Sequence, residues 1–83
     1  MYLNTKMKSR QIEELCKAIL ADAKTMFTDW EIPMDKYTGL IVFNAVTCTV
    51  YFTHITTGAV LVLNDVFFNE KTGKILQCVH SFR

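Results

Sequence analysis

Proline occurs once in this chain, at Pro33, and glycine three times, at Gly39, Gly58 and Gly73. So little of either leaves no flexible linker to divide the chain. Isolated glycines also make no phosphate-cradling loop, and each of these fits a turn. The cysteines, Cys16, Cys48 and Cys78, are odd in number and unpaired in spacing, which argues against a disulfide framework. No apolar run approaches the ~18 residues of a membrane-crossing helix. The longest pieces, Leu40–Phe43 and Ala59–Leu63, are bounded by Asn, Thr and Gly. No apolar core of signal-peptide length follows the first charged residues, so the expected location is cytosolic and reducing.

The largest absence is charge. From Tyr37 to Asn64 there is no Asp, Glu, Lys or Arg, and His54 is the single histidine. Residues 1–36 hold six basic and six acidic side chains, and the last nineteen hold Asp65, Glu70, Lys71, Lys74 and Arg83. The net charge of +1 argues against a nucleic-acid binder, which usually carries a basic excess on one face.

What is present is apolar material. Of 83 residues, 51% are apolar and 20% charged, against about 45–50% and about 25% in average soluble domains. A chain this short forms one domain and buries only about 60–65% of its unfolded surface. It therefore has more to hide than usual and less interior to hide it in.

Ile12, Leu15, Cys16, Ile19, Leu20, Ala23, Met26 and Phe27 recur with the helical period, opposite Glu13, Glu14, Lys17, Asp22 and Lys24. The spacing predicts a helix over about 9–28, with Ser9 as N-cap. A connector over 29–38 contains Pro33, which ends any helix there. Beyond Gly39 the period becomes two. Strands are expected at about 40–44, 46–54, 59–68 and 75–82, separated by the turn signals Thr56-Thr57-Gly58 and Asn69 to Lys74. Asn44-Ala45 reads as a tight turn or a bulge, and Asn64-Asp65 as a kink. The expected fold is α+β: one N-terminal amphipathic helix packed on a three- to four-stranded antiparallel β-meander.

Hairpin registers near i + j = 113 for the middle strands and 142 for the last two set Cys48 and Cys78 two strand spacings apart, roughly 10 Å. A disulfide needs Cα atoms within about 7 Å. Cys78-Val79-His80 is too tight for a zinc pair, so no metal or other cofactor is expected. Cys78 with His80 suggests a thiol nucleophile, but no orienting carboxylate accompanies it. Lys6, Lys8 and Arg10 form a small basic cluster that offers an anion contact or a solvated segment. Trp30, flanked by Asp29 and Glu31, suits a partner contact or a cover over the helix end.

Residues 59–68 are apolar on both sides, with Val60 and Val62 opposite Leu61 and Leu63. Strands of this kind are usually covered on both faces, and a single helix covers only one. The expectation is a small protein-interaction protein that self-associates through its sheet and binds another protein to modulate or inhibit it. Such a protein has the size of an accessory protein encoded by a phage or mobile element. Trp30, Ile32, Tyr51, Leu61, Leu63, Phe67 and Val79 are the expected contact residues. Two competing readings are an apolar ligand pocket between helix and sheet using His80, Tyr51 and Asn64, and nucleic-acid binding through the basic N-terminus.

Overall fold

The computed structural model describes residues 9–44 and 46–82. Helix α1 (Ser9–Asp29) is followed by a 3-10 turn (Met34–Lys36) and strands β1 (Tyr37–Phe43), β2 (Cys48–His54), β3 (Val60–Phe68) and β4 (Ile75–Phe82). The strands form one antiparallel sheet in the order β1-β2-β3-β4, with α1 packed on one face. This is the α+β meander that the periodicities predict.

Leu15, Ile19, Ala23 and Phe27, four residues apart on α1, are buried. They meet the alternating inward residues Cys48, Val50 and Phe52 of β2 and Leu61, Leu63, Val66 and Phe68 of β3. The helix ends in a Schellman motif. Glu31 takes the left-handed conformation (φ 64). Its N–H donates to the Thr28 carbonyl at 2.9 Å, and the Ile32 N–H donates to the Phe27 carbonyl at 3.0 Å. The fold therefore places Ile32 back against the core and leaves Trp30 edge-on to Phe27 at 5.4 Å.

Asp22 ties helix to sheet. Its Oδ2 accepts the Ile75 N–H at 2.8 Å, across 53 residues of sequence. Gly73, just before Ile75, lies close under the helix with φ 76, and a Cβ there would sit 2.5 Å from Ala18 Cβ.

Several boundaries differ from the expectation. β1 begins at Tyr37 rather than near 40, because Gly39 is a strand residue and not a break. Its missing side chain leaves room for Leu20 Cδ2 and Phe52 Cε1, 2.8 and 3.0 Å from where a Cβ would stand. β2 begins at Cys48, and the Asn44 N–H donates to the Thr47 carbonyl at 2.7 Å to close the link from β1. The β2–β3 register sums to 113 at Val50↔Leu63 and to 114 at Cys48↔Val66. The extra residue is absorbed around Asp65, at φ 49, where the kink was expected. The last hairpin sums to 143 at Leu63↔His80, not 142, because Asn69 N–H donates to the Lys74 carbonyl and sets that register. A second irregularity, between Phe67↔Gln77 and Phe68↔Ile75, leaves Leu76 as the extra residue. It moves Ile75 to the helix side, away from the face of Val79.

Candidate interaction surface

The face of the sheet away from α1 is built by strand alternation. Thr38, Leu40 and Val42 point there from β1, and Thr49, Tyr51 and Thr53 from β2. Val60, Val62, Asn64 and Phe67 follow from β3, with Gln77, Val79 and Ser81 from β4. None of these side chains carries a charge. Asp65, at the bulge, is the sole Asp, Glu, Lys or Arg within the four strands. Leu40 is 60% exposed, Val79 57%, Val42 46% and Phe67 44%. At ~4.8 Å per strand and ~3.3 Å per residue, the face covers on the order of 400 Å² in projection.

One row crosses all four strands: Leu40, Tyr51, Val62 and Ser81. Val62 is fully buried within the protomer, although it points away from the helix. Asn64 Nδ2 donates to Ser81 Oγ at 3.3 Å, so the polar groups beside it are paired with each other.

Of the expected contact residues, Tyr51, Phe67 and Val79 lie on this face. Leu61 and Leu63 do not: they pair with Phe52 and Val50 and are 6% and 0% exposed in the core beneath α1. Their placement is corrected because β3 is apolar on both sides, and only pairing fixes which set turns inward. Trp30, 43% exposed, lies at the helix end with its ring 4.5 Å from that of His80. Ile32 is half-buried against the core. Leu40 and Val42 belong to the surface but were not among the expected residues. The available signal was Gly39: a glycine facing the helix forces residues 40 and 42 outward.

The proposed pocket residues do not converge. Tyr51 and Asn64 lie on the outer face, whereas His80 lies on the helix side beside Trp30. The clefts run along the flanks of α1. One of about 520 Å³ is lined by Arg10, Glu14, Glu70 and Lys71 among others, so its charges offset. Arg10 is exposed there, while Lys6, Lys8 and the Ser9 side chain lie outside the described residues. His54 has a local role, since its Nδ1 accepts the Thr56 and Thr57 N–H groups at 3.1 and 3.2 Å and shapes the β2–β3 turn.

All three cysteines are free, and among the described residues no three His, Cys, Asp or Glu side chains group to hold a metal ion. Burial raises the Cys78 thiol above its ordinary value, the opposite direction from an activated nucleophile. Cys48, fully buried, is pushed from 9.0 to about 11, mainly by burial and secondly by nearby Cys16. In the unfolded chain that thiol ionises near 9.0. Its contribution to stability is therefore complete below about pH 9 and is lost as the pH rises toward 11. Alkaline denaturation should show this loss, and Cys48→Ala should flatten it. In iodoacetamide labelling at pH 8, followed by mass spectrometry, Cys48 should modify only as fast as the protein unfolds. Labelling as rapid as that of half-buried Cys16 would contradict its burial.

Among the described residues no helix is long and apolar enough to cross a membrane. No protein-family model, curated protein or solved structure matches the chain.

Proposed function

We propose that this chain is a small cytosolic interaction protein that self-associates through its sheet and acts by binding a second protein, modulating or inhibiting it. The observation that carries this reading is the uncharged outer face, with Leu40, Val42, Phe67 and Val79 each at least 44% exposed. Soluble surfaces normally intersperse charged side chains and keep exposed apolar patches small, and a face without charge meets a copy of itself without like-charge repulsion.

The magnitudes suit a reversible assembly. Covering ~500 Å² of apolar surface per chain supplies roughly 12 kcal/mol at ~25 cal/mol per Å². Association costs about 4–15 kcal/mol. The projected face is about half the ~800 Å² per partner of a standard interface. At the low end of the association cost about 8 kcal/mol remains, which corresponds to micromolar association and not to a permanent complex. Sedimentation velocity across a micromolar concentration series should show species of at least twice the monomer mass. A clean monomer throughout would reject the reading.

A further inference from the structure

We infer that two copies of this chain join edge to edge through β1, antiparallel about a two-fold axis at Leu40, into one continuous eight-stranded sheet. The inference rests on the self-association proposed above and places its seam at the edge of the sheet, so that the uncharged face itself is left for the second protein.

β1 is an edge strand. Natural edges are usually blunted by charge, proline or bulges. Tyr37–Phe43 contains no charge and no proline, and its register with β2 is unbroken over seven pairs. The opposite edge, β4, is interrupted by the irregularity at Leu76. Among the described residues the unprotected edge is therefore β1.

Two hydrogen bonds fix which backbone groups of β1 point outward. The Asn44 N–H donates to the Thr47 carbonyl, and the Ile55 N–H to the Lys36 carbonyl. Both involve even-numbered residues before β2, and antiparallel bonding alternates. Residues 38, 40 and 42 therefore bond to β2, and residues 37, 39, 41 and 43 direct their N–H and C=O groups to the free edge. The Tyr37 N–H already donates to the Met34 carbonyl.

The outward groups are symmetric about Leu40. Pairing two β1 strands at i + j = 80 matches Gly39 with Ile41 of the second copy, and Tyr37 with Phe43. The Gly39, Ile41 and Phe43 N–H groups then meet the Ile41, Gly39 and Tyr37 carbonyls, three donors per copy and so six hydrogen bonds. Leu40 lies opposite Leu40, a non-hydrogen-bonded pair in which side chains come closest. Lys36, the nearest cation, falls opposite Asn44 rather than another lysine. The two outer faces become one, which doubles the apolar platform available to a protein partner.

The test is a cysteine scan with oxidation by diamide. A non-hydrogen-bonded pair brings Cα atoms to about 4.5 Å, within the disulfide range. Leu40→Cys should cross-link to a dimer, and Val42→Cys alone should not, because residue 42 faces residue 38. An equimolar mixture of Thr38→Cys and Val42→Cys should give the mixed dimer, with the wild-type chain as the control for native cysteines. In sedimentation, Leu40→Lys should halve the mass with an unchanged circular dichroism spectrum, since Leu40 is already 60% exposed. Val79→Lys, on the far strand, should remain dimeric. If Leu40→Cys stays uncross-linked while Val79→Lys dissociates, the copies pack face to face: the edge geometry is overturned and self-association stands. A monomeric wild type overturns both.

Discussion

Replacing Phe27 by alanine is expected to cost about 3–5 kcal/mol, the range for deleting a buried aromatic side chain. Phe27 is fully buried and is edge-on to both Trp30 and Phe52, at 5.4 and 5.7 Å. It is the last inward residue of α1, and the backbone turn through Glu31 folds Ile32 back toward it. The cavity would open at the junction of the helix end, the turn and the sheet, where several elements lose contact together. A domain of 83 residues has a total stability of roughly 4–12 kcal/mol. The variant should therefore have a much lower urea midpoint and a substantial unfolded fraction at 37 °C. Phe27→Leu, which keeps most of the volume, should lose markedly less. Equal losses for the two would show that cavity formation is not the cause.

Gly73→Ala should be comparably damaging, at about 2–5 kcal/mol, for two separable reasons. At φ 76 an L side chain costs about 1–2 kcal/mol. The new Cβ would also stand 2.5 Å from Ala18 Cβ and 3.2 Å from the Ile19 backbone nitrogen, and overpacking of this kind adds about 1–3 kcal/mol. The backbone of α1 cannot yield as a flexible side chain could. The turn would have to shift, drawing Ile75 N–H away from Asp22. Gly58 is the internal control. It has the same φ of 76 with nothing within 4 Å of the added atom. Gly58→Ala should show the conformational cost alone. Denaturant midpoints of both variants give the packing contribution by difference, and equal losses would show that the approach to Ala18 does not matter.

The helix and most of each strand could be read from the sequence because their signals are local. Leu15, Ile19, Ala23 and Phe27 repeat every turn, and Cys48, Val50 and Phe52 alternate with threonines and tyrosine. The surface was harder. Of the expected contact residues, Tyr51, Phe67 and Val79 lie on the outer face, whereas Leu61 and Leu63 lie in the core beneath α1. In β3 both faces are apolar, so alternation exists without a label for inside and outside. Leu61 and Leu63 turn inward because they pair with Phe52 and Val50, and pairing is a long-range fact. β1 has the same difficulty between Leu40 and Phe43, and a glycine that reads as a break is in truth a strand residue pressed against Leu20. The insertion around Leu76 shifts parity by one residue and leaves no mark in composition.

The bond from Asp22 to Ile75 also governs the order in which this molecule can be completed. Growing from the ribosome, the chain releases α1 before β4, so the Asp22 carboxylate lacks this donor until Ile75 emerges. Until then the apolar stripe through Ile19 and Phe27 has only β2 and β3 to cover it, as they emerge in turn. A stop codon placed ahead of Ile75 would strand the helix without its mooring.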